Sequence, residues 1–108
     1  MTNTDHLLRF EDMEFEKIQD GLEQKKITRG DRVFRILKIH SQFTEANWCL
    51  NGHVGYVLSG KMKINFNGII QNYIQGDGLW IEQGESSKHK VIMEEGEEVQ
   101  LILFESLA

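Results

Sequence analysis

Proline is absent from the 108 residues, so no apolar run of the chain is interrupted by a residue that cannot donate to a sheet ladder. Cysteine occurs once, at Cys49, which excludes an internal disulfide and fits a reducing compartment. Long hydrophobic runs are missing. No segment approaches the roughly 18 apolar residues that a membrane span needs. The opening "MTNTDHLLRFEDMEFEK" is acidic and lacks the apolar stretch of a signal peptide. Positive charge is scarce: 12 Lys and Arg stand against 17 Asp and Glu, for a net charge of -5. Lys25 and Lys26 are the only adjacent basic pair. That balance argues against a nucleic-acid footprint. A serine-nucleophile elbow, a phosphate-binding P-loop and a dinucleotide fingerprint are also missing. The expectation is a cytoplasmic single domain, with no membrane and no nucleic-acid partner.

What is present is regular punctuation. Gly21, Gly30, Gly52, Gly60, Gly68, Gly76, Gly84 and Gly96 recur mostly at intervals near eight to ten residues. Short runs rich in Val, Ile, Leu, Phe and Tyr lie between them, the pattern of an all-β sandwich or barrel. In "KMKINFNGIIQNYI", Met62, Ile64 and Phe66 share one face, and Lys61, Lys63 and Asn65 the other. Asn67-Gly68 suits the positive φ angles of a tight hairpin. "RVFRILKIH" and "EVQLILFE" also read as strands, the last apolar on both faces. Near the N-terminus, Phe15, Ile18 and Leu22 have helical spacing, but Gly21 interrupts it. A hairpin is preferred: a strand near Leu22–Thr28, a turn at Arg29-Gly30-Asp31, and a return through Arg32–His40. Residues before about Phe10 are expected to fray. The glutamates of "MEEGEE" read as a solvated turn.

The segments "GHVGYVLSGKMKINFNG" and "GDGLWIEQGESSKHKV" resemble the second half of the first motif and the second motif of the cupin superfamily. The lead-in "GLEQKKITRGDRVFRILKIH" is similar to the opening hairpin of small one-domain cupins. The resemblance implies an all-β jelly-roll barrel of two packed antiparallel sheets with an N-terminal hairpin. It implies one domain over 1–108, with the barrel at about 32–105. It also implies a homodimer, with Trp48 or Trp80 near the contact.

Counted from Gly60, the family's acidic ligand position falls on His53, and its two leading histidine positions fall on Asn47 and Cys49. In the second motif Gly76 and Gly84 match, while the proline position is Glu82, the histidine position Ser87 and the asparagine position Val91. None of the four usual ligand positions holds its usual residue. The family's register nevertheless turns Asn47, Cys49 and His53 into the barrel, and His89, two beyond Ser87, the same way. The candidate ligand pocket is therefore Asn47, Cys49, His53, Ser87 and His89. Within it Cys49, His53 and His89 are candidate metal ligands, a thiolate with two imidazoles suited to zinc or copper at partial occupancy rather than to iron, manganese or magnesium.

Bland readings compete at each position. Cys49 can be a small buried hydrophobe, His53 a hydrogen-bonded core histidine, and His89, between two lysines, an exposed rim residue. Trp48 and Trp80 read as core or subunit-interface residues, Tyr56 and Leu58 as outward-facing, and Glu82 as rim decoration that could bend in beside His53. Three functions follow: a barrel binding a small organic ligand, a metal-dependent isomerase, lyase or oxygenase using Cys49, His53 and His89, or a structural or regulatory module with a closed barrel.

Overall fold

The computed structural model describes residues 6–106. The fraying expected before Phe10 lies partly outside them. Within them, 6–9 carry no regular structure, and Phe10–Asp12 forms a 3₁₀ turn. Lys25 Nζ donates to the Phe10 carbonyl at 2.8 Å, and the Phe10 ring packs on Phe34 with centroids 4.8 Å apart, so the chain is anchored from that point.

Eight antiparallel strands follow: β1 (Glu16–Gln19), β2 (Leu22–Arg29), β3 (Arg32–His40), β4 (His53–Phe66), β5 (Ile69–Ile74), β6 (Gly78–Ile81), β7 (Lys90–Ile92) and β8 (Glu98–Ser106). They join in the order β1-β2-β3-β8-β4-β5, with β6 and β7 also paired to β4. The first hairpin forms where the sequence puts it, with Arg29 paired to Arg32 across Gly30. β1 is an addition. Phe15, Ile18 and Leu22 fall on extended chain that doubles back through Gly21, not on a helix.

The long β4 builds the barrel by changing sheets. Its first half pairs with β8 and β6; its second half, from Lys61, pairs with β5 and β7. Gly60 sits at the crossing with φ 78°, a left-handed conformation that suits glycine. A Cβ there would lie 1.9 Å from the Glu98 carbonyl oxygen, so β8 passes too close for any side chain. At the far end Asn67 and Gly68 take φ 51° and 104°, and Phe66 pairs with Ile69 across the tight turn expected there. The glutamate-rich stretch is likewise a turn, joining β7 to β8.

Period-two alternation fills the inside. Met62 and Ile64 from β4 and Val99, Leu101 and Leu103 from β8 are buried, and Val57 and Val99 have no exposed surface. Each such side chain contributes about 1.5–3 kcal/mol by leaving water. β8 is apolar on both faces, but the outer face is uncovered: Phe104 is 53 % exposed. Tyr56 and Leu58 point outward and are exposed, as expected. No helix among the described residues is long and apolar enough to cross a membrane.

Candidate functional site

The alternation that buries leucine along β3 and β8 also turns one charged residue from each strand inward. Arg35 shares parity with Val33, Leu37 and Ile39, and Glu105 shares parity with Val99, Leu101 and Leu103. The β3–β8 register sets Arg35 opposite Leu103 and Val33 opposite Glu105, so the two charges meet at one end of the barrel. Arg35 Nε and Nη2 donate to the two Glu105 oxygens at 2.7 and 2.8 Å, and Arg35 Nη1 donates to Gln24 Oε1 at 3.3 Å.

His53 opens β4 at the same end, on the inner face with Val57. Cys49 and His89 are tied to each other by the backbone: Cys49 N–H donates to the His89 carbonyl at 2.8 Å, and His89 N–H to that of Cys49 at 3.0 Å. The three side chains converge. Cys49 Sγ lies 3.7 Å from His53 Nε2, the two imidazole centroids are 5.2 Å apart at 78°, and one donor atom from each residue lies within 4.8 Å of the others.

Both rings are oriented from behind. His53 Nδ1–H donates to Glu105 Oε2 at 2.5 Å, and His89 Nδ1–H donates to the Ser87 carbonyl at 3.0 Å. Those bonds fix the tautomers and leave each Nε2 for the cluster, the arrangement by which protein ligands hold imidazoles toward a metal. Without a cation the same contacts favour charged groups, so a metal would have to displace a proton from His53. The hydrogen bond from His53, followed by one from His89, draws the Cys49 thiol down from 9.0 to about 6. Burial acts most strongly on His53 and opposes its charge, yet the bonds to Cys49 and Glu105 prevail and lift it to about 9. Burial opposes charge on Glu105 as well, but His53 and Arg35 hold its carboxyl at about 2. On His89 the Cys49 and Ser87 bonds outweigh burial and raise its pKa. Between the Cys49 and His53 values the shifts favour a thiolate at Cys49 beside an imidazolium at His53.

The cluster forms the polar end of a cavity of about 160 Å³. Its remaining wall is mainly apolar, with Leu37, Ile39, Met62, Leu79 and Leu101 among the lining residues, and with Glu45, Asn51 and Arg35 as polar groups. A wider groove of about 660 Å³ at the barrel mouth shares Arg35, Asn51, His53 and Ile81 with it, so His53 stands between cavity and solvent.

Other candidates fall elsewhere. Asn47 is exposed and lines no part of the cavity, because the chain reaches the barrel wall only at Cys49. Ser87 also does not line it: Glu85–Ser87 is a 3₁₀ turn, and Ser87 contributes only its carbonyl, to His89. That turn displaces the inward position by two residues, to His89. His89 is 3 % exposed, which corrects its reading as a rim residue. Trp48 and Trp80 are not core. Trp48 is half-buried beneath Lys88 and Lys90, and Trp80 is 75 % exposed, its Nε1 donating to Glu82 at 3.0 Å. Glu82 therefore stays on the rim. Four polar residues of the site were not singled out from the sequence: Arg35, Glu45, Asn51 and Glu105. For Arg35 and Glu105 the signal was available, a charge at an inward parity.

No family model matches the sequence, and no curated protein matches it. Solved structures do match. The polyketide cyclase RemF from Streptomyces resistomycificus superposes with a TM-score of 0.81 at 16% identity, over 96% of this chain and 80% of that one. An RmlC-like cupin from Shewanella frigidimarina gives 0.77 at 20% identity, over 97% and 93%. KdgF from Halomonas sp. gives 0.75 at 15% identity, over 95% and 94%. With β4 crossing between two antiparallel sheets around one cavity, the chain has the cupin jelly-roll fold.

Proposed function

We propose that the protein binds a small organic molecule in its barrel cavity, against a soft divalent cation held by Cys49, His53 and His89. The observation that carries this reading is the convergence of one sulfur and two imidazole donors within 4.8 Å at the polar end of an otherwise mainly apolar cavity. One thiolate and two neutral imidazoles fit zinc or copper, and they leave a further position for the ligand. They do not fit the iron or manganese that oxygen-rich sets favour. When bound, such a cation supplies a positive charge that polarises an oxygen of the ligand. Glu105 and the Ser87 carbonyl hold the two rings in place, Arg35 holds Glu105, and the leucine and isoleucine walls exclude water from the ligand's apolar part.

Cobalt(II) tests this directly, because thiolate coordination gives an intense near-ultraviolet absorption. The reading predicts that band at one cobalt per chain in the wild type and its loss in Cys49→Ser. A protein that binds cobalt without the band, or keeps it in Cys49→Ser, contradicts the reading.

A further inference from the structure

We propose that Glu45 is the proton-transferring group of the cavity, acting on small carbonyl compounds that carry a hydrogen on the carbon beside the carbonyl. The proposal rests on the cation-centred reading of the same cavity and adds a reaction class to it.

Glu45 belongs to the connection between β3 and β4, a segment pinned on both sides. Phe43 is buried, with its N–H on the His40 carbonyl at 3.0 Å, and Cys49 is tied to His89. Between these anchors the Glu45 side chain turns to β7. Its Oε1 accepts the Val91 N–H at 2.8 Å, and the residue lines the cavity. No ion pair joins it to any described cation. The cavity's arginine is already committed to Glu105 and Gln24.

Its position suits proton transfer. Val91, in β7, lies two residues beyond the isolated bridge at His89, a step of about 6–7 Å along extended chain. A carboxylate held at Val91 therefore stands across roughly one small molecule from the donor cluster at His89. A carbonyl compound with its oxygen toward the cluster would place a neighbouring carbon toward Glu45. The step balances without any further reagent. Glu45 takes the proton from that carbon, the C–H electron pair becomes a carbon–carbon double bond, and the carbonyl π pair moves onto oxygen. The negative charge then lies beside the donor cluster, where a cation held by Cys49, His53 and His89 would stabilise it. Glu45 exchanges that proton with solvent, and return of a solvent-derived proton to the same carbon completes the exchange.

The test is deuterium exchange of cyclopentanone in D₂O, followed by proton NMR, with zinc-loaded protein and zinc content measured on the same samples. Glu45→Gln is the decisive variant, because glutamine keeps an oxygen for the Val91 N–H and removes the base. The wild type should accelerate exchange over buffer, Glu45→Gln should lose about 100-fold of that acceleration at unchanged zinc content, and Glu45→Asp should retain part of it. Equal exchange in wild type and Glu45→Gln overturns the proposal. Full zinc with no acceleration in the wild type overturns it alone. A chain that takes up no zinc overturns the reading beneath it as well.

Discussion

His53 Nδ1–H donates to Glu105 Oε2 at 2.5 Å, the bond that sets which face of the imidazole looks into the barrel. Partners of this kind typically carry 10–100-fold in metal affinity. Glu105→Gln, which leaves His53 an oxygen but removes the charge, is expected to weaken zinc binding by about that factor in a chelator competition. Glu105→Ala also strips Arg35 of its carboxylate in a place where both side chains are mostly buried. It should cost about 3 kcal/mol of stability, seen as a lower urea midpoint with an unchanged slope.

In chelator-treated protein the Cys49 thiol is held at about 6 by the His53 hydrogen bond, well below the ordinary 9.0. A lowered thiol pKa means that thiolate, the reactive form, persists to lower pH. Alkylation by iodoacetamide should therefore reach half its plateau rate near pH 6. In His53→Ala the midpoint should move up toward the ordinary value. A midpoint that stays put in His53→Ala would show that His53 does not set it.

Two glycines separate crowding from backbone strain. At Gly68 a Cβ meets nothing within 4 Å, but φ is 104°; Gly68→Val should cost about 1 kcal/mol or more through strain alone. At Gly60 the added Cβ would also strike the Glu98 carbonyl, so Gly60→Ala should cost about 3 kcal/mol or more. Thermal melts compared with the wild type read both, and equal losses would contradict the crowding seen at the sheet crossing.

Much of the barrel was legible because alternation and turn chemistry are local. Met62 and Ile64, the Asn67-Gly68 turn and the Arg29–Arg32 hairpin each follow from a few consecutive residues. β1 was not, since Glu16–Gln19 is exposed, carries only one apolar residue, Ile18, and pairs only with β2. Within the site, Cys49 and His53 could be placed by counting from Gly60. Asn47 could not, because counting assumes a continuous strand and the chain is extended against the wall only at an isolated bridge, Cys49 to His89. Ser87 failed for a related reason, a 3₁₀ turn that advances the chain by two positions. Arg35 and Glu105 have inward parity, but their pairing depends on the β3–β8 register, which joins residues 70 positions apart.

The most direct measurement is elemental analysis of protein purified without an affinity tag, on the wild type and His53→Ala. Cys49, His53 and His89 as a soft-cation centre predict zinc or copper, no stoichiometric iron, manganese or magnesium, and occupancy that falls as acid protonates the histidines. His53→Ala should lose the metal and keep the barrel's circular dichroism. Full occupancy by iron or manganese, or metal that survives His53→Ala, would contradict the account.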